Sequence, residues 1–155
     1  MQGSDIELLV NGFKIPNFRG VYMIQSIPDL NIHEFVIFNL SATPPGTHWV
    51  YLTLRSKDKY TGESHFEIFD SLGCNVSYIE ENLIKANSFY ISNTYAVQPK
   101  TSNKCGLYCI YFAIIKSENE DYDFFDLMNV CFTVNLDEND SEVVKFIKTY
   151  QSFKK

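Results

Sequence analysis

A cysteine at the start of a long apolar run is the residue of this sequence best suited to act as a nucleophile. Cys105 opens a segment that continues to Lys116, is apolar on nearly every face and is too long for an ordinary strand, which predicts a buried helix. The polar loop before it contains Ser102 and Asn103, two residue types that cap helices. Unpaired backbone N–H groups and the helix dipole would stabilise an anion in the first turn, so we expect a lowered pKa for the Cys105 thiol. Gly106 adds a permissive backbone where a substrate carbonyl would approach, which makes it a candidate for the substrate groove.

A general base, an orienting carboxylate and an oxyanion donor can be assigned along the same chain. His48 begins a predicted strand directly after a turn rich in proline and glycine, and Asp70 follows the end of the next predicted strand. If these strands pair antiparallel, Asp70 lies beside His48 and orients its imidazole, while His48 forms an ion pair with Cys105. Gln98, seven positions before the cysteine, can offer its side-chain amide to an oxyanion together with the Cys105 backbone N–H. The pattern predicts acyl transfer by a cysteine nucleophile.

Each of these residues could instead have a purely structural role, and the residue types alone do not decide between the two. A cysteine at a helix start is usually a small buried hydrophobe, and an aspartate after a strand commonly forms a turn. His65 is a poorer base than His48 because it starts the strand whose far end holds Asp70, and His33 has no acidic partner placed by a turn. The other cysteines are expected to be two core residues and one exposed turn thiol, namely Cys109, Cys131 and Cys74.

The remaining pattern predicts an α+β fold in one domain, residues 1–155, with a central mixed or antiparallel sheet packed by helices and the cysteine on a buried central helix. Ser4 is the expected cap of the first helix, and the acidic segments 118–126 and 137–142 are expected to be solvated connections between helices. Predicted strands cover residues 34–40, 48–54, 65–69, 89–91 and 95–97, and predicted helices cover residues 5–10, 76–86, 105–116, 123–132 and 141–153.

The composition excludes several classes of protein. Of 155 residues, 45% are apolar and 15% aromatic, too many for a disordered chain. The longest apolar run, residues 106–115, is about half the ~20 residues of a membrane-spanning helix. The polar, acidic N-terminus has no signal-peptide pattern, so we expect a protein that is not secreted and whose cysteines remain thiols. Cys105 and Cys109 lack the spacing of a zinc site, so no metal is expected, and a net charge of -6 argues against nucleic acid as a partner.

Three segments, taken together, are similar to the motifs of one protease family. They read GTHWV at residues 46–50, FEIFDSLG at residues 66–73 and VQPKTSNKCGLYC at residues 97–109. They resemble the His, acidic and Gln…Cys-Gly motifs of the adenovirus protease (adenain) family, in the family's order and with its Gln-to-Cys spacing. A weaker likeness covers FRGVYMIQSIPDL at residues 18–30 and the final helix. The resemblance implies a triad of His48, Asp70 and Cys105, with Gln98 as the oxyanion residue and Trp49 beside the active site, either in the substrate groove or simply in the core.

The same resemblance implies an adenain-like fold, shared with the proteases that remove SUMO and ubiquitin-like modifiers. It implies a monomeric endopeptidase of a DNA virus, virophage or Maverick-like element that cleaves capsid or other virion precursor proteins next to small residues, typically Gly. Such an enzyme would act in the virion and in the host cytoplasm or nucleus, with no membrane partner. A ubiquitin- or SUMO-like deconjugase, and a non-catalytic binding module that keeps the fold, are the alternatives.

The sequence departs from the adenovirus enzyme in two respects. Asp70 replaces the family's Glu, as is usual in the deconjugating proteases. The adenovirus enzyme is activated by a disulfide-linked peptide and by DNA, whereas this chain has no cysteine between Cys74 and Cys105 for the matching link, and its basic strip is limited to residues 55–59. We therefore expect neither cofactor, and no activating peptide can be identified from the sequence.

Overall fold

The computed structural model describes residues 1–40, 48–73, 76–83 and 87–153. Its helices are α1 (Gly3–Phe13), α2 (Val76–Leu83), α3 (Cys105–Glu118), α4 (Phe124–Cys131) and α5 (Leu136–Phe153). Its strands are β1 (Phe18–Met23), β2 (Phe35–Asn39), β3 (Trp49–Lys57), β4 (Ser64–Phe69) and β5 (Ser88–Ser92), and a short 3-10 helix follows β1 at Ile24–Ser26. The turn rich in proline and glycine at residues 43–46, the predicted turn thiol Cys74 and the end of the predicted helix at residues 84–86 lie outside the described residues.

The strands form one mixed sheet in the order β1-β2-β3-β4-β5. The outer pairs β1/β2 and β4/β5 are parallel, and the inner pairs β2/β3 and β3/β4 are antiparallel. Tyr51 of β3 lies opposite Phe69 of β4, so the start of β3 and the end of β4 meet at the same edge of the sheet. The predicted α+β architecture and the antiparallel β3/β4 pair are confirmed.

Both faces of the sheet are covered, which explains why its central strands read as continuous apolar runs. Along β2, Phe35 and Ile37 enter the core shared with α1, α3, α4 and α5. The alternating residues Val36 and Phe38 enter the core on the opposite face, which includes Ile79 of α2. Because both faces of β2 are buried, the strand lacks the alternation of apolar and polar residues seen in strands with one exposed face.

Helix α3 lies at the centre of the larger core, as its sequence predicts. Tyr108, Cys109 and Phe112 have no exposed surface, so the helix has no solvent face along this stretch. The Phe112 ring stacks on Phe69 at the end of β4, with centroids 4.5 Å apart, which holds the middle of α3 against the strand that precedes Asp70. Among the helices that the structure describes, none combines the length and apolarity needed to cross a bilayer.

Two helices begin earlier than predicted. Helix α1 starts at Gly3, so Ser4 lies inside it; the start is held by a capping box in which the Gln2 N–H donates to the Asp5 carboxylate at 2.9 Å. Helix α5 starts at Leu136, because the Asn135 side chain accepts from the Glu138 N–H at 3.0 Å and acidic residues occupy the first turn. The interpretation of residues 137–142 as a connection between helices is therefore wrong.

The predicted strand at residues 95–97 is also wrong, because this segment satisfies its backbone without a neighbouring strand. The Val97 N–H donates to the Ser71 carbonyl at 2.9 Å, and the Val97 carbonyl accepts from the Asn139 side chain at 3.0 Å. The Tyr95 carbonyl accepts from the Asn93 side chain. The segment is a tethered loop that leads to Gln98.

Candidate active site

The predicted base and its orienting carboxylate are in direct contact. His48 immediately precedes β3 and Asp70 immediately follows β4, so the antiparallel register brings them together at one edge of the sheet. The distance between His48 Nε2 and Asp70 Oδ1 is 2.6 Å. A charge-assisted hydrogen bond of this length fixes the plane of the imidazole and favours its protonated form.

Asp70 is itself held in place by its own turn and by a neighbouring strand. Its carboxylate is 4% exposed, and the same Oδ1 accepts from the Leu72 N–H at 2.9 Å. The fully buried Asn93, which follows β5, makes two hydrogen bonds to the backbone of Asp70. Asn93 Oδ1 accepts from the Asp70 N–H at 3.1 Å, and Asn93 Nδ2 donates to the Asp70 carbonyl at 2.5 Å. The carboxylate is thus oriented before any substrate binds.

Cys105 is the first residue of α3 and lies within hydrogen-bonding reach of His48. Since His48 Nε2 is engaged by Asp70, the Nδ1 atom is the one available to the thiol. The expected cap by Ser102 or Asn103 is not formed, because the N-cap residue is Lys104 and its side chain makes no capping hydrogen bond. The backbone N–H groups of Gly106 and Trp49 instead hydrogen-bond to the sulfur of Cys105.

These contacts shift both partners toward an ion pair. Burial alone would lower the pKa of His48, but hydrogen bonds to Asp70 and Cys105 and the charges of both together raise it to about 9. Burial alone would raise the pKa of the Cys105 thiol, but the hydrogen bond to His48 and the backbone donors outweigh it, so that pKa is lowered. By contrast, burial raises the pKa of Cys109 well above its ordinary value and that of Cys131 to about 12. Of these three thiols, Cys105 alone has an environment that favours the thiolate.

Gln98 is almost fully buried between the segments that carry the other site residues. Its Oε1 accepts from the Ser71 hydroxyl at 2.5 Å, and its Nε2 donates to the Ser102 carbonyl at 2.9 Å. Ser71 is adjacent to Asp70, and Ser102 lies three residues before Cys105. Within the described residues, the second hydrogen of Nε2 has no recorded acceptor.

The two proposed groove residues are covered by the N-terminal segment. Trp49 is 6% exposed, and its indole N–H donates to the Met1 carbonyl at 3.0 Å. A Cβ atom on Gly106 would lie 2.8 Å from Met1 Sδ and 3.3 Å from Ile6 Cδ1. Trp49 therefore packs in the core beside Cys105, and Gly106 allows α1 to approach α3. Both residues are buried here, and their assignment to the substrate groove stays a prediction.

Several residues that support the site were not singled out in the sequence. Asp140 on α5 accepts from the Tyr108 hydroxyl at 2.6 Å and from the Ser102 hydroxyl at 3.1 Å, and so ties the loop before Cys105 to two helices. Ser71 had a local signal, its position next to Asp70. Asn93 and Asp140 had none, because the bonds of Asn93 to Asp70 span 23 residues and those of Asp140 to Ser102 and Tyr108 span at least 32.

The comparisons with known proteins bear on the fold alone. No family model matches the chain, and no curated protein matches it. A solved structure, the central domain of the uncharacterized Lpg1148 protein from Legionella pneumophila, is similar with a TM-score of 0.56 and 12% sequence identity. The match covers 97% of this chain and 98% of that chain, so the similarity in fold extends over nearly the whole chain. Within the described part of the chain, no group of three His, Cys, Asp or Glu residues could hold a metal ion.

Proposed function

We propose that this protein is a cysteine endopeptidase of the adenain type, with Cys105 as nucleophile, His48 as general base and acid, and Asp70 as the orienting carboxylate. The observation that carries the proposal is the contact of 2.6 Å between His48 and Asp70, with the thiol of Cys105 bonded to the same imidazole. A buried Cys-His-Asp arrangement of this kind has no evident structural purpose that apolar residues would not serve better.

The substrate class rests on the motif resemblance described above. It suggests capsid or other virion precursor proteins, cut next to small residues such as Gly during virion maturation. The enzyme would act where virions assemble.

The proposed reaction is acyl transfer in two steps. The Cys105 thiolate attacks the scissile carbonyl carbon, and the resulting oxyanion receives hydrogen bonds from Gln98 Nε2 and the Cys105 N–H. The C–N bond then breaks as His48 gives its proton to the leaving amine, which leaves a thioester on Cys105. In the second step, water loses a proton to His48 and attacks the thioester carbon. The C–S bond breaks, releasing the carboxylic acid product and restoring the thiolate. No cofactor enters the scheme.

The direct test is a digest of candidate capsid and other virion precursor proteins, with new termini read by mass spectrometry. Wild type should generate new termini at small residues, and Cys105→Ala should generate none. Cys131→Ala is the matched control because Cys131 is as buried as Cys105, at 8% exposure, but has no bonded histidine. Identical cleavage by wild type and Cys105→Ala would refute the catalytic assignment.

A second function, removal of ubiquitin-like modifiers, is favoured by one residue. The orienting acid is Asp70, the type usual in the deconjugating proteases, and those enzymes share both the triad and the preference for Gly. Incubation with ubiquitin and SUMO conjugates separates the two functions. Release of modifier without any cleavage of virion precursors would favour the deconjugase.

A further inference from the structure

The turn after β4 contacts both halves of the candidate site through adjacent residues. Asp70 bonds to His48, whereas Ser71, which is fully buried, bonds through its hydroxyl to Oε1 of Gln98 at 2.5 Å. The Ser71 carbonyl also accepts from the backbone N–H groups of Val97 and Gln98, at 2.9 and 3.0 Å. Ser71 therefore fixes both the backbone and the side chain of Gln98.

The Ser102 carbonyl sets which way the Gln98 amide points, and the Ser71 hydroxyl holds the amide oxygen in that orientation. The Ser102 carbonyl can only accept, so the side of the amide that faces it must be the NH₂ group. In that orientation Oε1 faces Ser71, and the hydroxyl must donate to it. A flipped amide would set Oε1 against the Ser102 carbonyl oxygen, which is repulsive. Together Ser71 and Ser102 leave one Nε2 hydrogen free in a single defined direction.

The position of Ser71 is in turn fixed from outside the site. Asn93 holds the backbone N–H and carbonyl of Asp70, the residue before Ser71, and has no exposed surface. The hydroxyl therefore has little freedom to follow Gln98 if the amide rotates. A donor set in advance of the reaction is what stabilises an oxyanion effectively, because nothing needs to reorganise when charge develops.

We propose that Ser71 is a positioning residue that orients the Gln98 amide toward the oxyanion, so that one turn aligns both the imidazole and the oxyanion donor. This role rests on the function proposed above. Ser71 acts through Gln98, and within the described residues it has no hydrogen bond to Cys105 or His48. Its loss should therefore weaken steps that create an oxyanion and leave the nucleophilicity of the thiolate intact.

Two chemical probes separate these effects. In the first, the Cys105 thiolate attacks iodoacetamide and displaces iodide, so no carbonyl oxyanion forms. In the second, the thiolate adds to the carbonyl carbon of a peptide aldehyde, and negative charge develops on the carbonyl oxygen. We would measure kcat, KM, aldehyde affinity and the alkylation rate of the Cys105 peptide for wild type, Ser71→Ala, Gln98→Ala and the double variant. Ser117→Ala is the matched control, because the Ser117 hydroxyl donates to the Ile114 carbonyl at the far end of α3.

Ser71→Ala should lower kcat and aldehyde affinity by about 10- to 100-fold, with KM and the alkylation rate of Cys105 close to wild type. The loss should vanish in the Gln98→Ala background, because the double variant then lacks the group that Ser71 positions. Ser117→Ala should match wild type in all four measurements. If Ser71→Ala shows no cooperative unfolding transition and is therefore not folded, Ser71→Cys replaces it in the test. The thiol is a weak donor of similar size, so Ser71→Cys should also lower kcat and aldehyde affinity, but by a smaller factor.

Additive losses in the double variant, or an alkylation rate that falls together with kcat, would overturn the role of Ser71. Unchanged kcat in Ser71→Ala alongside an active wild type would overturn it as well, while leaving the protease proposal standing. A wild type that neither binds the aldehyde nor cleaves peptide would overturn both.

Discussion

At the scale of single residues, the reactivity of Cys105 comes from its neighbours. Its 8% exposure would by itself favour the neutral thiol, as it does for Cys131 at the same exposure. The difference is the hydrogen bond to His48, whose charged form is supported by Asp70. The lowered pKa of the proposed nucleophile therefore depends on a carboxylate that acts through His48.

The first prediction concerns the dependence of activity on pH. In the proposed mechanism protonated His48 is the acid that releases the amine, and its pKa is about 9, so kcat/KM should fall as the pH rises through about 9. Asp70→Asn keeps an oxygen for the Leu72 N–H but removes the negative charge. The alkaline limb should then move down toward the ordinary histidine value of 6.5, with a lower maximum. An alkaline limb that stays near pH 9 in Asp70→Asn would show that Asp70 does not set the charge of His48.

At the scale of elements, strand pairing and helix packing bring distant residues to one edge of the sheet. The β3/β4 register joins His48 to Asp70, and the stacking of Phe112 on Phe69 holds α3 against β4. The far half of α3 is anchored by charge: Lys116 Nζ donates to the buried Glu67 carboxylate at 2.7 Å, and Arg55 lies 3.6 Å from its other oxygen. The packing that positions Cys105 therefore includes a buried carboxylate that must stay paired.

Lys116→Met tests this anchor. It leaves the Glu67 carboxylate, 1% exposed, with only the more distant Arg55, so the free energy of unfolding should fall by about 3 kcal/mol. Lys148→Met, on the exposed side of α5, is the control and should change it by less than about 0.5 kcal/mol. Denaturant titrations measure both. The double variant Glu67→Gln/Lys116→Met should recover part of the loss, and equal effects of the two lysine substitutions would rule out the buried pair.

Local patterns predict the parts of the fold that depend on local pairing and burial. The runs around His48 and before Asp70 read as strands, the loop between them permits an antiparallel pair, and the apolar run after Cys105 can only be a buried helix. Strand β1 was not predicted, because Arg19 and Gly20 interrupt its pattern. It forms through parallel pairing with β2, whose register shifts between Phe18 and Gly20.

The supporting contacts of the site depend on long-range geometry, which residue types alone do not reveal. Asn93 reads as an ordinary residue after a strand, yet both ends of its amide hold Asp70. Asn139 lies in an acidic stretch that reads as solvated, yet its side chain is buried and bonds to the Val97 carbonyl. Polar side chains that satisfy backbone groups far along the chain leave no periodic signal.

At the scale of the whole molecule, the charge distribution argues against regulation by nucleic acid. The net charge is -6, and the basic strip of residues 55–59 begins with Arg55, which already pairs with Glu67. Binding to DNA by release of counterions needs several unpaired cations on one surface. A protease with this surface should work without DNA.

Peptide cleavage in low salt, with and without duplex DNA, tests that expectation. Adding DNA should leave kcat/KM unchanged, and the mobility of labelled duplex in a gel should not change with protein. A rise in kcat/KM that is lost in about 0.2 M salt would instead indicate electrostatic activation.

The most direct test of the central claim is the rate at which Cys105 is alkylated near neutral pH, read peptide by peptide by mass spectrometry. In wild type, Cys105 should react at least about tenfold faster than Cys74, Cys109 or Cys131, because its pKa is lowered by the pair with His48. In His48→Ala the rate should fall to that of an ordinary buried thiol. A Cys105 that reacts no faster than Cys74 in wild type, or whose rate is the same in His48→Ala, would contradict its assignment as the nucleophile.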